Sequence, residues 1–296
     1  MIESNKNYCM CNLELMKQMD DNSVDLIYAD ILYGTGRTFE HYVDLNFNMK
    51  DLVFGIIPKI IYDFYNERIE EFHRILKKSG SIYIHMDNRI KDCIKLLMNK
   101  TFGVNNFINE VIWCYKSSLT IPKIGFVNSH DTIFLYSKNI EKVYFNENIR
   151  KNFKTSEHVL ERMKKYANKD GKVLIERKTF KGKKSKYTTD ISSGLPIDWW
   201  NISNVSRGGN KEVKCGKYAT QKPIALLERI IKASSNEGDV VFDPFLGSGT
   251  TIVVANQLNR KWIGCDINPY SIELTEKRLK EKQIVNKTKI DKLFNL

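Results

Sequence analysis

Apolar residues along this chain switch between a strand period and a helix period. The run SVDLIYAD (23–30) is short and mostly apolar, which predicts a buried strand. From 61 to 80, Phe64, Ile69, Phe72, Ile75 and Leu76 keep roughly helical spacing, which predicts an amphipathic helix stopped by Gly80. A strand over 81–87, a helix over 89–100 and strands over 107–116 and 130–138 follow. The alternation resumes late in the chain with a helix over 223–235, which has Pro223 in its first turn. A strand over 239–245, a helix over 250–259, a strand over 261–267 and a basic amphipathic helix over 270–284 complete it. Strands and helices in this order predict a parallel, doubly wound α/β sheet.

The intervening stretch breaks the pattern. Between Arg150 and Tyr187 fourteen basic residues face four acidic ones, which places +10 of the total +12 charge in 38 residues. Apolar residues are sparse there, so residues 145–215 read as an insertion outside the main core. A basic excess of this size implies a polyanionic partner, most often nucleic acid. The length of 296 residues suits one large domain carrying such an insertion. No run reaches the roughly 18 apolar residues of a membrane span, and no basic-then-apolar leader opens the chain. The expectation is a cytoplasmic, nucleoid-associated protein. Cys9, Cys11, Cys93, Cys114, Cys215 and Cys265 form no CxxC pair and read as free thiols, with no metal site expected.

Two stretches carry chemistry. FDPFLGSGTT (242–251) runs from strand to helix through Gly247 and Gly249, where a backbone without Cβ lets a ligand approach and the helix start offers free N–H groups. Asp266, at the end of the next strand, is placed to accept from ribose hydroxyls. The turn is shorter than GxGxxG, so it points to a nucleoside cofactor rather than a dinucleotide. ADILYGTG (29–36) puts one carboxylate and one aromatic ring at the lip of a buried strand.

FDPFLGSGTT resembles the cofactor motif of the DNA amino-methyltransferases, which use S-adenosylmethionine. ADILYGTG resembles their catalytic motif, usually Asp-Pro-Pro-Tyr. YATQKPIALLERII (218–231), SHDTIFLYSK (129–138) and DWWNI (198–202) are similar to further segments of that family. The order, with the catalytic motif first, then an insertion, then the cofactor motif, resembles the β class. The likeness covers most of 7–140 and 195–285. It implies a Rossmann-like methyltransferase fold with a largely parallel seven-stranded sheet and helices on both faces. Residues 1–144 would form the catalytic half, 145–215 the target-recognition region and 216–296 the cofactor-binding half.

The resemblance also implies roles. Asp30 would accept an N–H from the exocyclic amine of a flipped base, the Ile31 carbonyl would accept the second, and Tyr33 would stack on the base. Asp30, Lys222, Asp243, Phe245, Gly247, Ser248, Gly249, Thr250, Asp266 and Ile267 would line the cofactor site. Lys178, Lys181, Lys183, Lys184 and Lys186 would contact phosphates of double-stranded DNA. Asp at position 30 leans toward adenine N6, since the N4-cytosine enzymes more often resemble Ser-Pro-Pro-Tyr. N4-cytosine is the first alternative, with an impaired DNA-binding relative and methylation of RNA or protein glutamine as others. Carbon-5 methylation needs a thiolate after a proline, and none of the six prolines precedes a cysteine. A partner restriction endonuclease and a homodimer are further expectations from resemblance.

Two departures stand out. Ile31 and Leu32 replace the two prolines, which lowers the stiffness of the free loop and predicts that 31–50 order upon DNA binding. Cys11 falls about where the family often has an acid. His130 reads as a strand-start residue at the pocket edge rather than as half of a dyad with Asp131. Trp199 and Trp200 read as packing anchors.

Overall fold

The computed structural model describes residues 2–38, 44–45, 52–53, 57–115, 123–152, 161, 163–178, 184–190, 197–205, 218 and 220–294. The chain divides into two units, Met1–Phe145 with Asp198–Leu296, and Asn146–Ile197.

The first unit begins with β1 (Lys6–Cys9), α1 (Asn12–Met16) and β2 (Val24–Asp30). A two-stranded ribbon, β3 (Leu52–Val53) and β4 (Ile57–Pro58), precedes α2 (Lys59–Ile75), β5 (Leu76–Met86), α3 (Lys91–Phe102), β6 (Phe107–Cys114) and β7 (His130–Ser137). In the second unit, β8 (Lys172–Lys178) and β9 (Lys184–Asp190) pair as an antiparallel hairpin. The chain then returns to the first unit with β10 (Trp199–Asn201), α4 (Ile224–Ser234), β11 (Val240–Asp243), α5 (Thr250–Gln257), β12 (Lys261–Asp266) and α6 (Pro269–Phe294).

Among the described residues the main sheet has eight strands in the order β1-β12-β11-β2-β5-β7-β6-β10. It is largely parallel, as expected, with β7 antiparallel to both its neighbours. The count exceeds the expected seven because β10 adds to the β6 edge, pairing Trp200 with Trp113. Trp200 is buried there and Trp199 is exposed, so only one of the pair anchors the core.

Side-chain alternation explains the two layers. Ile27 and Ala29 of β2 face a core built with α2 and α3, where Ile61, Phe72, Ile94 and Met98 pack. Leu26 and Tyr28 face the opposite core, built with Leu227, Ile230 and Ile231 of α4 and Ile252 of α5. Ile84 and Tyr83 of β5, and Phe134 and Leu135 of β7, divide between the same two cores. Val24 breaks the parity and joins the first core, because the pairing of β2 with β5 shifts between Val24 and Leu26.

That shift corrects the expected end of the second helix. α2 stops at Ile75, and Leu76 is already extended (φ −68°, ψ 134°) because it pairs with Val24. Gly80 lies inside β5, where an added Cβ would meet the Asp25 carbonyl at 2.8 Å and the Leu76 side chain at 2.7 Å. The glycine permits a close approach of two strands rather than a helix cap. Among the described residues no helix is long and apolar enough to cross a membrane.

Candidate active site

The strand order creates the site. β2 and β11 lie side by side and parallel. From β2 the chain passes through α2 on one face to β5; from β11 it passes through α5 on the other face to β12. The two connections depart in opposite directions, and such a reversal leaves a crevice at the carboxyl ends of the strands. A cavity of about 610 Å³ opens there, a size that suits a small ligand. Asp30, Ile31, Leu32 and Tyr33 line one side; Pro244, Phe245, Gly247, Asp266 and Ile267 line the other.

Asp30 ends β2 with its carboxylate about one-fifth exposed. The Tyr33 hydroxyl donates to its Oδ1 at 2.8 Å, and Lys222 Nζ donates to Oδ2 at 2.6 Å. Burial, together with the neighbouring Asp30 charge, holds the Tyr33 phenol well above its usual range, so it is a donor at neutral pH. Lys222 also sits 5.5 Å from the Tyr33 ring centroid. The Ile31 side chain is buried in the first core, and its N–H donates to the His85 carbonyl, which fixes the backbone just past the strand. The loop beyond is braced by buried Asp44, which accepts from the N–H groups of Gly34 and Thr35 and from the Thr35 hydroxyl. The remainder of 31–50 lies largely outside the described residues.

The glycine turn forms the opposite wall. Gly247 (φ +51°) donates its N–H to Asp266 Oδ2 at 2.9 Å, while Asp266 Oδ1 accepts from the Asn268 N–H. Burial raises Asp266 above the usual carboxylate range, against the pull of these N–H groups. Asp243 is buried and its carboxyl is pushed up to about 7, by burial first, with hydrogen bonds from Thr251 and the Phe245 N–H opposing. Gly249 (φ +71°) precedes α5 in the left-handed conformation. Ser248 and Thr250 are buried and share a hydroxyl contact of 3.2 Å. Arg278 from α6 reaches beneath them, donating to the Ser248 carbonyl and to Thr250 Oγ1. Phe245 is half-buried and Ile267 largely exposed at the cavity rim.

Of the residues inferred for the cofactor and catalytic roles, Asp30, Ile31, Tyr33, Lys222, Phe245, Gly247, Asp266 and Ile267 line this cavity, and Asp243, Ser248 and Thr250 line a smaller one that shares Asp30, Lys222 and Gly247 with it. Lys178, Lys184 and Lys186 lie on β8 and β9 of the second unit, with Lys178 opposite Lys184 in register. Lys181 and Lys183 lie outside the described residues.

Sequence reasoning missed several groups. Asn12 Nδ2 donates to the Pro244 carbonyl and its Oδ1 accepts from Arg68 Nε, tying α1, α2 and the glycine turn together. The Arg68 guanidinium stacks on Phe64 and approaches Cys11 Sγ at 3.6 Å, facing the position where the resemblance leads one to expect an acid. Asp131 does have an imidazole partner, but it is His85 (3.2 Å) and not the adjacent His130. Histidine and acid sit on different strands, so no local spacing could have signalled them.

The family model described as DNA methylase, N6_N4_Mtase, matches residues 24–277. The Type II methyltransferase M.HpaI of Haemophilus parainfluenzae is 32% identical over 272 residues, covering 92% of this chain and 73% of that protein. The DNA adenine methyltransferase YhdJ of Escherichia coli K12 is 32% identical over 270 residues, covering 89% of this chain and 79% of that one. Among solved structures, the cytosine-N4-specific PvuII DNA methyltransferase superposes with a TM-score of 0.63 at 18% identity, covering 94% and 87% of the two chains, a likeness of fold.

Proposed function

Because this chain belongs to the DNA methylase family that residues 24–277 match, we propose that it methylates the exocyclic N6 of adenine in duplex DNA. The observation that carries the reading is that Asp30 and the glycine turn, over 200 residues apart, line one cavity.

The methyl donor is S-adenosylmethionine, which supplies a methyl group already activated on a sulfonium. The residues present fit that group. Gly247 forms a cradle that an added Cβ would fill, coming within 3.4 Å of the Tyr218 ring. Asp266 offers acceptors for hydroxyls, Phe245 and Ile267 offer an apolar wall on the same side, and Ile31 and Leu32 line the side across from them.

An exocyclic amine is a poor nucleophile because its lone pair is delocalised into the ring. Asp30 restores that density by accepting an N–H, and the Ile31 carbonyl accepts the other. Both oxygens of Asp30 already accept one bond, from Tyr33 and Lys222, and each has a lone pair left. The amine therefore joins these donors or displaces one. The work of the chain is positioning and electrostatics, with no covalent enzyme adduct.

Adenine is favoured by the carboxylate at position 30 and by the likeness to YhdJ. The β-class assignment is supported by the order of the motifs. A partner endonuclease belongs to the same reading, supported by the Type II methyltransferase M.HpaI likeness. The basic segment 145–215 is proposed as the target-recognition region on its charge.

Methyl transfer from labelled donor to duplex DNA, followed by nucleoside analysis, tests the proposal. N6-methyladenine is expected, and Asp30→Ala should abolish transfer while leaving donor affinity within a few-fold. N4-methylcytosine would reassign the base. Label found only in RNA or protein, or full turnover by Asp30→Ala, would refute the reading.

A further inference from the structure

Behind Asp30 lies a second polar layer that the mechanism above does not use. His85 of β5 is fully buried. Its Nε2 is 3.2 Å from Asp131 Oδ2 and its Nδ1 is 2.7 Å from the Tyr28 hydroxyl. The same Nδ1 lies 3.8 Å from Asp30 Oδ1. Tyr115 donates to the other oxygen of Asp131 at 3.0 Å, and the edge of Trp113 closes the ring of contacts.

The hydrogen bonds select a tautomer. Burial, then the charges of Asp30, Asp243 and Asp131, hold the Tyr28 phenol well above its usual range, so Tyr28 keeps its proton and donates it to Nδ1. Nε2 then carries the imidazole hydrogen and donates to Asp131. Burial pushes the Asp131 carboxyl up, but the hydrogen bond from His85, the Lys222 charge and the hydrogen bond from Tyr115 outweigh it and hold Asp131 below the usual range. A neutral imidazole with an ionised carboxylate behind it can accept one proton.

Transfer to an amine leaves a proton to be removed. The nitrogen–methyl bond forms as the methyl–sulfur bond breaks, and sulfur keeps that electron pair. The nitrogen, now four-bonded and positive, gives one proton to Asp30 and regains its lone pair. We propose that His85, backed by Asp131, acts through Asp30 as the acceptor of that proton, returning Asp30 to its ionised state. Nδ1 takes the proton, the Tyr28 oxygen becomes its acceptor, and the imidazolium rests between the carboxylates of Asp30 and Asp131. His85 is thus a positioning residue for Asp30. The inference rests on the amino-methyl-transfer reading.

Single-turnover methyl transfer across pH tests it, with the parent protein and Asp30→Ala as controls for that reading. The groups facing His85 are Tyr28 and Asp30 from β2, Tyr33 from the following loop, Asp131 from β7, Trp113 from β6 and Tyr115 just beyond it. Lys222 acts on Asp131, and Asp243 acts on Tyr28. The parent rate should fall toward acid pH. His85→Asn should lose this acid limb and run at least about a hundredfold slower, the low end for a lost proton acceptor. Asp131→Asn should shift the limb to lower pH, since the lost carboxylate favoured the imidazolium.

A separate readout needs no turnover. Imidazole nitrogen NMR of the unreacted protein, with His85→Gln to assign the signal among the five histidines, should report the Nε2–H tautomer. An acid limb that survives His85→Asn, or that disappears only in Asp243→Asn, overturns the proposal. So does an Nδ1–H tautomer, or a limb unmoved in Asp131→Asn. A parent protein that transfers no methyl to DNA overturns the underlying reading and this inference with it.

Discussion

Gly249→Ala should unseat the turn that carries the donor side of the site. Gly249 has φ +71°, where an L-residue is strained by about 1–2 kcal/mol. The new Cβ would also stand 2.0 Å from Thr275 Oγ1, 2.5 Å from its Cγ2 and 2.7 Å from its Cβ. Thr275 is fully buried, and its hydroxyl donates to the Ser271 carbonyl at 2.7 Å. It cannot turn away without losing that bond, so α5 and α6 must separate, an overpacking cost of about 1–3 kcal/mol. The two effects together give about 2–5 kcal/mol, against a total stability of about 5–15 kcal/mol for ordinary proteins. Equilibrium unfolding in urea measures the loss. Thr275→Ala in the same chain removes the two nearest atoms and leaves the third, so the double variant should recover about 1 kcal/mol or more relative to the sum of the singles. A Gly249→Ala protein within about 0.5 kcal/mol of the parent, or strict additivity with Thr275→Ala, would refute the close approach as the cause.

Two other outcomes follow from charge. Asp243 holds its proton up to about 7 in the fold, whereas an exposed carboxyl releases it near 3.8. The folded state therefore binds more protons in that window, and stability should fall as pH rises through it, by on the order of 4 kcal/mol. Asp243→Asn should flatten that slope in urea midpoints taken across pH, and an unchanged slope would remove Asp243 as its source. Replacing Lys178, Lys184 and Lys186 by glutamine should lower the log–log salt slope of DNA binding by up to about 0.9 for each phosphate that is no longer neutralised. A slope equal to the parent's would mean that the hairpin does not meet phosphate.

The strands and helices were legible wherever one period ran uninterrupted. SVDLIYAD is central and apolar on both faces, so it read correctly as a buried strand. The glycine turn was legible because close backbone approach demands particular residues in a fixed local order. The end of α2 was not, because helical spacing continues through Leu76 while sheet pairing with Val24 takes that residue over. The bracing of the site was hidden for a different reason. Lys222 and Asp30 are 192 positions apart, and His85 and Asp131 are 46 apart on antiparallel strands. Arg278 and Thr275 belong to a helix that reads as basic and amphipathic, and its pattern does not tell which polar residues are buried against the turn, as both are. Such partners become visible only once strand order is known.

The seam between β2 and β11 joins segments that the chain itself connects only by a long detour through Asn146–Ile197. A second seam, β1 against β12, crosses the same divide. Severing the backbone within that detour would leave each fragment holding edges that only the other can satisfy. Two separately expressed pieces that between them keep Asn146–Ile197 should then reassemble by strand pairing, and methyl transfer to DNA would record that both had been made in the same cell.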